Sequence, residues 1–284
     1  MPFTLSHAAA VLPGLTRSGR GRGALVASAL VLGSFAPDTF YFLDAVVEGV
    51  MPYGDFTHSP LGVVTADALL TAALVACWLL LREPLVALLP RAWQGRVHTF
   101  VRGERWRRER RPAALLGWFY LSAVAGSFTH VAWDSFTHLD RYGTNALPGL
   151  STLYGGFPFY TYVQYGSSVL AAAVLAWFTV TALRRIPACE PPAAVPRLSR
   201  AERWAGLALV AVSVGTGVTL RVVRFYTFFD RIRSPLDIIP TVCFGAGGGL
   251  MVGLVLYGVM VRLRHRRRPP VPPRQTRTPV PTTR

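Results

Sequence analysis

Lysine is absent from this chain of 284 residues, and asparagine occurs once, at Asn145. All 30 basic residues are arginine, a bias that reads as the codon usage of a GC-rich genome and carries no mechanism. Acidic residues are scarce as well, and the 14 present leave a formal net charge of +16. Charged residues of every kind make up 15% of the chain against 51% hydrophobic, and the mean hydropathy is +0.36. A disordered chain lacks such apolar content, and a soluble domain of this size needs more surface charge. Cysteine is equally sparse. Cys77, Cys189 and Cys243 lie far apart, two of them in apolar runs, which excludes a disulfide framework and a cysteine-type zinc site. They are expected to be small core residues. A phosphate loop is missing too: glycines cluster at Gly245, Gly247, Gly248, Gly249 and Gly253, with no strand signal before them and no lysine after. Small residues four apart in an apolar helix instead let a neighbouring helix approach closely.

What the chain does have is long apolar runs. A bilayer's hydrocarbon core, about 30 Å thick, takes roughly 20 apolar residues of helix. Residues 23–43, 60–81, 113–133, 161–183, 204–220 and 238–261 qualify, with Asp38 and Asp67 their only formal charges. They predict an all-α, polytopic transmembrane helix bundle of about six spans over residues 1–261, followed by a basic, proline-rich disordered tail at 262–284. That tail either lies against anionic headgroups or serves only as topogenic charge. Of the 30 arginines, 25 fall in the N-terminal segment, the 82–112 and 184–203 loops and the tail. Cytoplasmic loops retain positive charge, so both termini are expected on the cytoplasmic side. Residues 17–36 resemble a secretory signal, but Pro37 directly after the would-be cleavage site argues against processing. The run is therefore expected to remain as the first span.

Ionisable groups at membrane depth cost on the order of 3 kcal/mol each, so each calls for a partner or a purpose. His98 and His265 lie among arginines, where solvated roles suffice; of the other four, His58, His130 and His138 lie close to aspartates and His7 stands in the N-terminal segment. In THVAWDSFTH, residues 129–138, His130, Asp134 and His138 are spaced i, i+4, i+8. On a helix they form one stripe drifting by about 40° per step. Imidazole nitrogen with carboxylate oxygen suits zinc and other first-row divalent ions, whereas any single pair is as well explained by a hydrogen bond. In DFTHSPLG, residues 55–62, His58 lies just outside the second span. Pro60 opens a helix there, whose N-terminal dipole leaves the ring neutral; a headgroup contact is the other reading.

In GSFAPDTFYFL, residues 33–43, Pro37 interrupts the first span just before Asp38. Broken backbone at that depth is tolerated where it lines a cavity, and Asp38 then needs a cation or an arginine such as Arg141. His7, in MPFTLSHAAAVLPG, reaches the others only if 23–43 forms re-entrant half-helices or the N-terminal segment dips into the membrane. Asp67 would sit about 13 Å deeper than His58 on a continuous helix. It reads as a buried hydrogen-bonding or ion-paired group, or as a relay. The loop 141–160, rich in glycine and aromatics, is either a lid over the site or part of an interfacial aromatic belt.

These four segments resemble an uncharacterised bacterial family of multi-pass membrane proteins known as a domain of unknown function, over roughly residues 1–170. More distantly, the order His7, Asp38, His58, His130, Asp134, His138 is similar to the ligand order of the zinc-dependent phospholipase C and P1-type nuclease superfamily. It also resembles the inner-membrane metal-dependent hydrolases grouped with them. The resemblance implies a bacterial inner-membrane protein with those six residues as metal ligands and a divalent ion, zinc or else manganese. Asp38 or Asp134 would bridge metals or take a proton in phosphoester hydrolysis. The superfamily's closing histidine, followed four residues on by glutamate, has no counterpart after His138, and the chain begins Met-Pro-Phe without an N-terminal tryptophan. One metal is thus expected to be missing or differently held. The partners expected are membrane lipid and a phosphoester or lipid-headgroup substrate, not nucleic acid. A carrier or sensor of metal or protons, and a membrane protein without turnover, are the other classes these residues can serve.

Overall fold

A computed structural model describes residues 3–103, 111–229, 231, 232 and 235–267. The chain opens with 3-10 turns at Thr4–Ala9 and Leu12–Gly14, then α1 (Ala27–Gly33), a 3-10 turn at Ala36–Asp38, and the short helices α2 (Thr39–Leu43), α3 (Tyr53–Thr57) and α4 (Pro60–Val64). The long helices are α5 (Ala66–Leu88), α7 (Pro112–Asp134), α9 (Phe159–Arg185), α10 (Arg200–Phe228) and α11 (Pro235–Arg267). These five are long and apolar enough to cross a membrane. An amphipathic α6 (Arg91–Arg102) follows α5, and α8 (Tyr142–Ala146) with a two-residue hairpin, β1 (Leu153–Tyr154) and β2 (Phe157–Pro158), links α7 to α9. The all-α membrane bundle expected from the apolar runs is what forms.

Two of the expected spans differ in detail. Residues 23–43 are not one crossing helix but α1, the 3-10 turn and α2, because Pro37 lacks the amide that a continuous helix needs. The piece before the break lies against α7: the Val26 amide donates to Ser122 Oγ at 2.9 Å. The two backbones come so close that a Cβ on Gly33 would sit 2.5 Å from the Ala123 carbonyl oxygen. The second run also breaks, at Thr65 with φ −121° and ψ −81°. Ser59 caps α4, its Oγ accepting from the Gly62 amide at 3.0 Å with Pro60 in the first turn.

Helix α5 then continues past residue 81, through Arg82, Glu83 and Pro84. Pro84 offers no N–H to the carbonyl four residues earlier, that of Leu80, and Arg262 Nε fills the vacancy at 2.6 Å. Arg262 also reaches Glu83 at 2.7 Å. This docking keeps α11 helical to Arg267, so residues 262–267 belong to the bundle rather than to an extended tail; the remainder of that expected tail lies outside the described residues.

The glycine cluster packs helices, as its spacing implies. A Cβ on Gly217 of α10 would meet the Gly245 oxygen at 2.3 Å, and one on Gly249 the Ser213 oxygen at 2.2 Å. Cysteine placement departs from expectation. Cys189 is exposed in the irregular segment after α9 and Cys243 is half-buried, while Cys77 is exposed on α5, where lipid solvates apolar residues on the outside of a bundle as readily as neighbours do inside it.

The first described residues and the end of α11 lie toward opposite ends of the bundle. His7 is level with the C-terminal end of α7, beside Asp134, whereas Arg262 sits against Leu79 and Leu80.

Candidate metal centre

Four side chains from three separate segments meet where the broken run, the α3–α4 corner and the end of α7 converge. Asp38 closes the 3-10 turn after Pro37, which Thr57 Oγ1 fixes by donating to the Pro37 carbonyl at 2.7 Å. Thr4 donates its hydroxyl to Asp38 Oδ2, turning Oδ1 toward the centre. His58 caps the C-terminus of α3, and its Nδ1 lies 2.8 Å from the Gly54 carbonyl. His130 places Nδ1 2.7 Å from the Ser34 carbonyl. A carbonyl only accepts, so each Nδ1 carries a hydrogen, and in the neutral form each ring would present its Nε2 lone pair inward.

Those inward atoms face carboxylate oxygens. His58 Nε2 is 3.5 Å from Asp38 Oδ1 and 3.8 Å from Asp134 Oδ2; His130 Nε2 is 3.5 Å and 3.4 Å from the same two oxygens. All four residues are buried, and their donor atoms lie within 4.8 Å of one another. A tetrahedral ion with ligands at 2.0–2.2 Å spaces them about 3.4 Å apart. The donor set therefore fits a divalent ion in both chemistry and spacing. Left to themselves the groups fit poorly. Asp38 Oδ1 and His130 Nε2 have no hydrogen-bond partner among the described residues, and two carboxylates without a countercharge are costly in a buried place. Burial alone would lower the pKa of His58, but Asp134 and Asp38 outweigh it and raise it, so the centre draws in positive charge. The helix-dipole effect expected at His58 is not what governs it: Ser59, not His58, is the cap of α4.

His7 and His138 flank this group through Asp134. The N-terminal segment does enter the bundle: the His7 ring stacks on His130 at 3.6 Å between centroids, and its Nε2 is 3.3 Å from Asp134 Oδ1. His138 Nδ1 lies 3.6 Å from Asp134 Oδ2. Helix α7 ends at Asp134, so only the first two members of the expected stripe are helical, and His138 returns through the following turn. Burial brings the pKa of His7 down to about 4, helped by the neighbouring His130, and burial likewise holds His138 at about 4. Both are neutral at neutral pH, the form in which imidazole binds metal.

Asp67 stands apart from the six. The Ser127 hydroxyl donates to its Oδ2, while Oδ1 is buried with no partner among the described residues. The break at Thr65 removes the continuous helical rise on which its expected depth rested, and α5 packs on the turn that carries Asp38. Arg141 pairs with Asp55 at 3.3 Å rather than with Asp38. His98 is buried in α6, and His265 lies in the last turns of α11, both apart from the centre.

A cavity of about 570 Å³ opens on the group, lined by His58, Asp134 and His138 on one side and by Arg141, Gln164 and Phe244 elsewhere. The Gln164 amide nitrogen sits 3.0 Å from His138 Nε2. Sequence reasoning passed over Gln164, although a lone amide in the apolar run 161–183 was a signal. It also missed Thr4, which nothing in its context marked. From the 141–160 loop the cavity takes only Arg141, while Tyr142 and Tyr154 are exposed, an arrangement closer to an aromatic belt than to a lid.

No curated protein and no solved structure matches the chain. Over residues 1–259 it matches the model of a family described as Domain of unknown function (DUF4184), and it belongs to that family.

Proposed function

We propose that this protein is a membrane-embedded, metal-dependent phosphoester hydrolase of the bacterial inner membrane that acts on lipid-headgroup or related phosphoester substrates, with zinc, or else manganese, as its ion. The observation that carries the reading is the convergence of His58 Nε2, His130 Nε2, Asp38 Oδ1 and Asp134 Oδ2 at spacings of 3.4–3.8 Å along the four recorded edges. The mixed nitrogen and oxygen donors favour a first-row divalent ion. When bound, such an ion supplies a water of lowered pKa and a Lewis acid for a phosphoryl oxygen.

The chain's own residues do the rest. Asp134 turns its second oxygen toward His7 at 3.3 Å, so the pair is placed to take and pass on a proton. Arg141 and Gln164 face the same cavity as His58 and Asp134 and are placed to hold a phosphoryl group, with Phe244 and Tyr165 against its apolar neighbour. The distant similarity in ligand order to zinc-dependent phospholipases and nucleases supports the same chemistry. In this reading the arginine-rich face is cytoplasmic and the metal centre lies toward the far side.

The test is a panel of phosphomonoesters, phosphodiesters and phospholipids in detergent micelles, supplied to zinc- or manganese-loaded protein. Expected is turnover of at least one class, reduced at least about 100-fold by Asp134→Asn and more modestly by Arg141→Ala. Metal bound with no turnover across the panel would remove the hydrolase reading. A carrier is the second reading, favoured by one observation, the buried Asp67 Oδ1 that has no partner among the described residues. Metal uptake into proteoliposomes that Asp67→Asn abolishes would favour it over hydrolysis.

A further inference from the structure

A second cavity, of about 780 Å³, lies away from the metal centre between the N-terminal segment, α1, α5, α6 and α9. Its size is that of sites for sizeable ligands, roughly 300–1,000 Å³. The walls are apolar over most of their extent, with Leu12, Val31, Trp78, Leu79, Leu175 and Phe178 among them. One end differs. Arg20, Arg82 and Arg102 gather there, where the loop around Gly19 meets Phe100. Arg82 is engaged, its Nε and Nη2 bonding Glu83 at 2.9 and 2.6 Å. Arg20 and Arg102 are exposed, and neither has an acidic partner among the described residues.

The shape has a direction. Along α1 the groove runs from Val26, near the arginines, to Phe35, with Ala8 beside it. At helical rise that is about 13 Å, close to the roughly 15 Å acyl depth of one leaflet in a 30 Å core. A flat lipid-facing surface would give no such concavity, and an aqueous ligand would not match these walls. The charge at the mouth selects among amphiphiles, since an ammonium-bearing headgroup meets repulsion where a phosphate alone meets two guanidinium groups that have no acidic partner among the described residues.

We propose that this groove is a binding site for one anionic glycerophospholipid of the leaflet on the arginine-rich side, its phosphate between Arg20 and Arg102 and an acyl chain along α1 toward Phe35. The bound lipid would fill the space between the N-terminal segment and the long helices, and so hold in place the segment that delivers His7. The site is independent of the hydrolase reading, because none of its lining residues belongs to the metal group.

The experiment uses the full-length protein, delipidated in detergent, incubated with phosphatidylglycerol or with phosphatidylcholine, and weighed by native mass spectrometry. Expected is retention of a single phosphatidylglycerol and at least tenfold less phosphatidylcholine. The Arg20→Ala, Arg102→Ala double variant should lose that preference. Ser28→Phe, which puts a large side chain into the groove and leaves both arginines, should lose retention of either lipid, with monodisperse elution certifying that each variant folds. Equal retention of the two lipids by the wild type, no retention of either, or a preference that survives in the double variant would each overturn the proposal.

Discussion

His7 and His130 stack face to face, 3.6 Å between ring centroids and 18° between planes. The contact joins a 3-10 turn at the start of the chain to the last turn of α7, and it sets His7 Nε2 against the Asp134 oxygen that points away from the other donors. An outer partner of this kind orients a ligand without binding the ion. Replacing His7 with alanine is expected to leave metal binding intact but weaker by about 10- to 100-fold. A competition titration with a fluorescent zinc chelator measures it. Unchanged affinity would mean that the stack is packing alone.

Asp67→Asn separates the buried acid from the centre. Ser127 can still donate to an amide oxygen, and the amide NH2 takes the place of Oδ1, which has no partner among the described residues, without burying a charge. Expected are unchanged metal content and a melting temperature equal to or above that of the wild type, read by differential scanning fluorimetry in detergent. Loss of metal would make Asp67 part of the centre.

Acid stability should report on Asp44. This buried carboxylate accepts from the Gly49 and Met51 amides and from Arg221, with Arg224 at 3.3 Å. Burial raises its pKa, but the Met51 amide and the two arginines outweigh burial and hold it below the ordinary 3.8. A carboxyl with a depressed folded pKa contributes stability that is fully present above its unfolded value and is lost as pH falls through the folded one. The gap in melting temperature between wild type and Asp44→Asn is therefore expected to be constant from neutral pH down to about 5, and to narrow below 3.8. Protonation of the site histidines is common to both proteins and drops out of the difference. A gap that closes already at pH 6 would contradict the assignment.

Helix contact through glycine gives the fourth expectation. A side chain at Gly217 or Gly249 meets backbone at 2.2–2.3 Å, and backbone cannot swing aside as a flexible side chain does. Gly217→Val should destabilise by about 1–3 kcal/mol or more, seen as a lower melting temperature, whereas the same change at Gly166, which has open space around its Cβ position, should have little effect.

Much of this was legible in the sequence because the constraints were local. The lengths of the apolar runs marked α7 and α9 nearly to their ends and the middles of α10 and α11, and the four segments carrying His7, Asp38, His58 and the His130 and Asp134 pair pointed to one centre. What escaped was set by contacts between distant residues. Nothing near Pro84 announces that Arg262 will satisfy the Leu80 carbonyl, so the helical start of the tail was hidden. His7 depended on whether 3–20 enters the bundle, which rests on packing against α9 and not on any periodicity. His138 looked like the third member of a helical stripe because spacing alone does not reveal that α7 stops at Asp134.

The most direct test of the metal centre is elemental mass spectrometry of the protein purified without chelators, beside the His130→Ala, Asp134→Ala double variant. Expected is close to one zinc or manganese per wild-type chain and none above background in the double variant, with both eluting as folded protein. Wild-type protein without excess metal, and unable to take up zinc or manganese when either is supplied, would contradict the centre and leave His58, His130, Asp38 and Asp134 as a buried group of ion-paired side chains within a membrane bundle.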